Sequence, residues 1–335
     1  MSGNSSIRFQ WLFGRVTSVT AQLFLRVTYT DQRAHGTSPL SARGRGAGGE
    51  GANPLTTPTI TSATLTGPRS FYARTLETSV ALAPVTNDKT LWQATLEDPC
   101  YWTPRQPYLY TLRLTLAAAD RRGEEQTLTL GVPVLVARGD RLELEGKNWT
   151  LRAFKANCEC LALLPGSHQS GTSLYVSCPD EELCELASRE GVLLVADLSV
   201  LSVGDVEAEL RRLARWPAVC VAILPDSAEV DAALRQETSH VVRGQSWPAG
   251  GELKPRDWAQ ILLVPRELID ELQPSQQPSG RAIVVCAARG VRDAAGVSTT
   301  ATADPATQVA LGRQACDSLQ AELAGRGSFA GYVVG

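Results

Sequence analysis

The stretch Pro179–Asp197, PDEELCELASREGVLLVAD, decides the fold class. Its first part reads as a helix. Pro179 suits the first helical position, and Asp180, Glu181 and Glu182 suit the positive end of the helix dipole. Gly191 stops the helix, and Val192–Leu198 is an apolar run suited to a strand covered on both faces. Working outward, the same rhythm recurs. Trp149–Ala156 and Ser173–Cys178 read as strands upstream. Downstream, Asp205–Arg215 is an amphipathic helix with Val206, Leu210 and Leu213 on one face. Val219–Leu224, Ile261–Val264, Ile283–Cys286 and Phe329–Val334 read as further strands, and Thr307–Ala324 as a long helix. Repeated strand–helix units predict a parallel α/β domain over residues 137–335, with a (β/α)8 barrel as the leading option. About 200 residues is the lower edge for such a barrel, so a reduced TIM-like barrel with short or missing helices is expected.

The first 136 residues have a different period. Val19–Tyr29, Ser62–Leu65, Phe71–Leu76, Thr78–Leu82, Leu91–Leu96, Tyr108–Leu116 and Gln126–Val132 alternate bulky apolar with other residues, and polar residues, Gly or Pro separate them. Six or seven short strands predict an immunoglobulin-like β-sandwich. Residues 33–59 carry ARGRGAGGEGANP and read as a flexible loop insertion. A phosphate-cradling role would need a strand before this loop and a helix after it, and the sequence offers neither. The whole is a multidomain β plus α/β chain.

Composition narrows the function classes. The 335 residues are 43% hydrophobic and 20% charged, which excludes a disordered or collagenous chain. A net charge of −3 gives no reason to expect nucleic acid or an anionic membrane as partner. Three histidines make a multi-histidine metal centre hard to build, and no metal or cofactor is expected. The cysteines Cys100, Cys158, Cys160, Cys178, Cys184, Cys220, Cys286 and Cys316 are scattered through apolar runs and read as free thiols of a reducing compartment. Cys158 and Cys160 form C-x-C, without zinc-ligand spacing. No secretory signal and no bilayer-spanning run is visible, so a cytoplasmic chain is expected, and the sequons at Asn4 and Asn148 then carry no glycan.

The order of motifs resembles glycoside hydrolase family 2, the β-galactosidase/β-glucuronidase group. Trp102, Pro104, Pro107, Leu109 and Tyr110, in WTPRQPYLYTLRLTL, match the family's Trp-x-Pro-x-x-Pro-x-Leu-Tyr segment. Leu142–Ala153, LELEGKNWTLRA, keeps Gly146, Lys147, Leu151 and Arg152 of the stretch that opens the family's barrel. Pro179–Asp197 follows the end of its second unit. The resemblance implies a sandwich before a catalytic barrel, with two glutamates at the barrel mouth, one a general acid/base and one a nucleophile.

Both glutamate positions are changed. The acid/base pair Asn-Glu falls on Asp226 and Ser227, in Trp216–Ser227, WPAVCVAILPDS. A serine hydroxyl holds its proton too tightly to act as a general acid, and Asp226 stands one residue early. The nucleophile position, in Arg281–Gly290, falls on Ala287 or Ala288, with Cys286 the one nearby nucleophile. The family's arginine and histidine fall near Leu174–Pro179, LYVSCP, which has neither. No catalytic residue is therefore expected at the family positions. Asp197, Asp226 and Trp247 remain as ligand-binding candidates: Asp197 as hydroxyl acceptor or as a local backbone partner, Trp247 as stacking surface or as loop packing. His168 and His240 lack partner patterns and read as surface or structural residues. The resemblance leaves three readings. The first is a pseudoenzyme acting as a carbohydrate-binding or interaction module. The second is an active glycosidase hydrolysing O-glycosyl bonds with relocated carboxylates drawn from Asp226, Asp197, Glu229 and Glu252. The third is a chain that works in an assembly with a protein partner or with its own copies.

Overall fold

In the computed structural model, residues 5–31, 59–118, 121–156, 160–247, 254–270, 280–287 and 304–335 are described. The loop insertion expected at 33–59 lies outside them up to residue 58, and Thr59 opens a strand.

Two antiparallel sheets make the first layer pair. One orders β1 (Ser5–Val16), β2 (Thr20–Asp31), β6 (Asp88–Glu97) and β5 (Ala83–Val85). The other orders β4 (Thr78–Ala81), β3 (Thr59–Arg69), β7 (Leu109–Ala118) and β8 (Arg121–Leu130). Alternation decides which side chains meet. Ala21, Leu23, Leu25 and Val27 of β2 are buried, as are Tyr110, Leu112, Leu114 and Leu116 of β7, while their neighbours face outward. The sandwich expected from the sequence is thus present, with two corrections. Ser5–Val16 and Ala83–Val85 are strands that the sequence reading passed over. Phe71–Leu76 is not a strand: its apolar side chains stay outside, with Phe71 72% and Leu76 88% exposed. Alternation there reflects no buried face.

A small sheet follows, β9 (Leu135–Arg138), β10 (Arg141–Leu144) and β11 (Lys147–Trp149) in the order β11-β10-β9. Leu135 and Leu142 are fully buried and join the core of the next unit, so the division expected between residues 136 and 137 falls inside β9.

The remaining chain closes an eight-stranded parallel barrel: β12 (Leu151–Lys155), β13 (Ser173–Ser177), β14 (Leu194–Asp197), β15 (Val219–Leu224), β16 (Val242–Ser246), β17 (Ile261–Pro265), β18 (Ala282–Ala287) and β19 (Gly331–Val334). Its helices are α1 (Cys160–Ser170), α2 (Glu181–Glu190), α3 (Val203–Leu213), α4 (Ala232–Glu237), α5 (Arg266–Ile269) and α6 (Pro305–Leu323). Helix α4 has six residues and α5 four, and among the described residues none lies between β16 and β17, in line with a reduced barrel. All six residues of β15 are buried, which is why this strand reads as an unbroken apolar run. Helix α2 starts two residues later than expected. Asp180 is its N-cap, accepting from the Leu183 amide at 2.8 Å, and Pro179 precedes the cap.

The sandwich grips one end of the barrel. The Trp102 indole N–H donates to Ser188 O at 2.8 Å, in the last turn of α2. Gly191, the left-handed cap of α2 at φ 71°, lies so close to Pro104 O that a Cβ there would stand 2.5 Å away. Arg26 pairs with Glu237 at the end of α4 (3.0 Å), and Phe13 meets His240, just before β16, edge to face. Tyr72 stacks on His168 near the end of α1 and donates to Glu190 at 2.7 Å. All these partners are helix ends or strand starts, so the sandwich covers the N-terminal end of the barrel. The opposite end, where the strands finish, is the mouth that carries chemistry in barrels of this kind.

Candidate functional site

The strands of the barrel end in Lys155, Ser177, Asp197, Leu224, Ser246, Pro265, Ala287 and Val334. One of these eight, Asp197, is a carboxylate.

Asp197 is buried, and its Oδ1 accepts from the Ser199 amide at 3.0 Å and the Ser199 hydroxyl at 2.5 Å. Its charge also reaches the Tyr175 phenol. Burial first, then this carboxylate, raises the Tyr175 pKa well above its ordinary value, so the phenol keeps its proton. The Lys155 Nζ lies 5.7 Å from the centroid of the Tyr175 ring, a cation–π placement. Cys286, on the far side of this group, is pushed up to about 12 by burial, with Lys155 acting downward and Asp197 upward. That thiol is not a thiolate near neutrality and is a poor nucleophile.

Asp226 sits two residues beyond β15 in a different setting. Its carboxylate takes the Arg256 guanidinium on both oxygens, at 3.3 Å and 3.1 Å, and the Gln245 amide at 2.6 Å. Arg256, through hydrogen bonds and charge, holds this carboxyl below the usual carboxylate range. A general acid for a glycosidic oxygen needs the opposite, a carboxyl whose proton stays on near neutral pH. Gln245 is fully engaged: it also donates to Lys254 O at 3.2 Å and accepts from the Arg256 amide at 2.9 Å.

Ser227 is exposed in the turn closed by Ala228 N–H to Pro225 O at 2.9 Å, and Glu229 is exposed two residues on. Ala287 ends β18 beside Val334. Trp247 is half-buried against the barrel core at the end of β16, its amide donating to Leu263 O at 2.8 Å. Ala288, Glu252 and Cys158 lie outside the described residues. His168 and His240 are both at the sandwich–barrel contact, far along the chain axis from the strand ends. His240 Nε2–H donates to Ala214 O (2.7 Å), and burial drives the His240 pKa down to about 4. The seven described cysteines are free thiols, and the described residues contain no group of three or more His, Cys, Asp or Glu able to hold a metal.

The structure therefore groups Asp197 with two residues that the sequence reading missed, Lys155 and Tyr175, whereas Asp226 is tied to Arg256. The signal for Lys155 was its place near the end of the strand read at Trp149–Ala156. Tyr175 lies in the LYVSCP stretch, where attention went to the arginine and histidine that are not there. Beside this group, a cleft of about 450 Å³ opens at the ends of β12 and β13, lined in part by Lys155, Ser177, Cys178 and Asp180.

Comparison with known proteins agrees with this architecture. Residues 56–132 match the family model described as Glycosyl hydrolases family 2. Comparison with curated protein sequences finds no match. Among solved structures, the chain is similar to a β-glucuronidase from Ruminococcus gnavus (TM-score 0.60, 11% identity, 99% of this chain and 62% of that one). It is likewise similar to the β-glucuronidase of Bifidobacterium dentium (TM-score 0.60, 12% identity, 99% and 60%). A glycosyl hydrolase family 2 member from Bacteroides cellulosilyticus also matches (TM-score 0.56, 13% identity, 97% and 44%). The chain thus spans less than two thirds of the length of these structures. The resemblance to glycoside hydrolase family 2 holds on two grounds, the matched sandwich segment and the sandwich-plus-barrel fold. No helix among the described residues is long and apolar enough to cross a membrane.

Proposed function

We propose that this glycoside hydrolase family 2-like chain binds a carbohydrate at its barrel mouth and does not hydrolyse it. The observation that carries the reading is the carboxylate arrangement at the strand ends. Retaining hydrolysis needs two carboxyl groups ~5–5.5 Å apart, one protonated and one ionised. Here Asp226 is held ionised by Arg256, Asp197 is engaged with Ser199 and Tyr175, and β18 ends in Cys286 and Ala287. Among the described residues, no second carboxyl is seen paired across the mouth with Asp226 to share acid and nucleophile roles. The parallel barrel nonetheless keeps a cleft with hydrogen-bonding groups, which supports binding. Free thiols throughout the described chain fit a reducing compartment, and we place the protein in the cytoplasm.

The test is an aryl-glycoside panel run on the protein and on Asp226→Asn, with calorimetric titration of the corresponding methyl glycosides. Heat of binding with no turnover above the variant is the expected result. Turnover that vanishes in Asp226→Asn would overturn the reading in favour of an active glycosidase with a relocated carboxylate.

A further inference from the structure

We infer that the seam between the sandwich and the base of the barrel is a binding site for a small neutral phenol. The site lies at the opposite end of the barrel from the mouth and does not depend on the carbohydrate reading above.

The seam forms where β1 and β8, edge strands of the two sheets, meet α2 and the turn before β15. Over part of its length it is closed. Phe13, Leu130, Pro217 and His240 come together there and leave no room for a water molecule. Further along β1 it widens into a cavity of about 160 Å³. The sandwich lines this cavity with Phe9, Trp11 and Leu128, and the barrel lines it with Glu185, Arg215 and Trp216. The widening is therefore local, and the seam is not loose throughout.

Size and walls suit one aromatic ring. An apolar cavity of ~150 Å³ takes a benzene molecule. Small-molecule sites favour seams between units, with aromatic walls and a few polar groups. Phe9, Trp11 and Leu128 pack with the sandwich core, and Trp216 packs against the barrel core, so an occupant touches both units.

The polar groups select the substituent. Glu185 and Arg215 bring opposite charges to the same cavity. Arg215 lies 3.7 Å from Glu181, and its guanidinium is 5.8 Å from the centroid of the Trp216 ring. The Glu185 carboxylate and the hydroxyls of Thr127 and Thr129, which also line the cavity, make no hydrogen bond or ion pair among the described residues. A ligand carboxylate would gain Arg215 but meet Glu185, and an ammonium would do the reverse. A hydroxyl donates to the one and accepts from the other, with no charge to desolvate. A phenol, with a pKa near 10, keeps that hydroxyl neutral at pH 7.

The tryptophans supply the readout. The Trp216 indole N–H is enclosed in the cavity wall with no acceptor among the described residues, so its resonance follows any change in that wall. Protein labelled with ¹⁵N at the indole nitrogens, assigned by single Trp→Phe variants, is titrated at pH 7 with phenol, benzoate and benzylamine. Phenol is expected to shift the Trp11 and Trp216 resonances saturably, with a dissociation constant of about 1 mM or below, and to leave Trp149, Trp247 and Trp258 in place. Benzoate and benzylamine are expected to bind at least threefold more weakly. Glu185→Gln, at an exposed position of α2, removes the charge that opposes benzoate and should close its gap to phenol. No saturable shift at Trp11 and Trp216, or equal shifts at every indole, overturns the site. A preference for phenol over benzoate that Glu185→Gln leaves unchanged overturns the selection argued from the rim charges. The methyl glycosides that test the carbohydrate reading carry no aromatic ring, so the two readings fail separately.

Discussion

His240 should make the protein sensitive to mild acid, and the size of the effect follows from its surroundings. The ring is enclosed between Phe13 of the sandwich and the end of α3, with one nitrogen on Ala214 O at 2.7 Å. Burial, reinforced by the charge of Arg243 and partly offset by the Ala214 carbonyl, lowers its pKa from 6.5 to about 4. The folded state therefore refuses a proton that the unfolded chain accepts. As pH falls below 6.5 the unfolded state gains protons first, and stability is lost until about pH 4, below which this histidine costs nothing more. Over the full window the loss is ~3 kcal/mol, and between pH 7 and pH 5 it is about 2 kcal/mol. Carboxylates titrate in the same range, so the quantity to measure is a difference. Urea unfolding by tryptophan fluorescence at pH 7 and pH 5 is compared for wild type and His240→Gln, which retains a donor for Ala214 O and does not titrate there. Wild type should lose about 2 kcal/mol more than the variant. Equal losses in the two proteins would refute the account of a buried neutral imidazole at this contact.

Other expectations concern the same contact and the core thiols. Trp102→Ala removes a side chain that is 1% exposed together with its bond to Ser188 O, and should cost ~3–5 kcal/mol in urea unfolding. A loss below ~1 kcal/mol would show that the Trp102 segment does not hold the two units together. Burial raises Cys220 and Cys286 to about 12, so iodoacetamide at pH 8 should leave both unmodified in native protein and label them only after unfolding. Rapid native labelling of Cys286 would mean the mouth is more open, and its thiol more acidic, than described.

The barrel was largely legible because its strands are covered on both faces and read as apolar runs. Val219–Leu224 has the same limits in sequence and structure. What escaped was whatever breaks that pattern. β16, VRGQS, is a buried strand carrying Arg243 and Gln245, whose polar ends are met by carbonyls of Thr238, Val241, Trp258 and Lys254 and by Asp226. Such tertiary partners leave no mark on local hydropathy. Helix α1 contains Pro165 and has no polar stripe, so no helical period shows. Phe71–Leu76 had the alternation of a strand without a sheet to bury it. At the mouth, Asp197 and Asp226 were found from family positions, but the ion pair that fixes Asp226 joins residues thirty apart and is invisible in the chain. Lys155 was missed because a lysine at a strand end looks like surface until the strand's neighbours show which way it points.

The grip of the sandwich on the N-terminal end of the barrel has a consequence for how such a chain can change. The contacts that hold the two units together involve Trp102, Gly191, Glu237 and His240, and none of these shares a partner with the strand-end residues. The sandwich–barrel contact and the strand ends therefore lie at opposite poles of the barrel. Substitutions at exposed mouth positions such as Asp226 and Ser227 should leave the sandwich–barrel contact undisturbed. A glutamate introduced as Ser227→Glu would enter an exposed turn, whereas Ala287→Glu would enter a strand end packed against the barrel core.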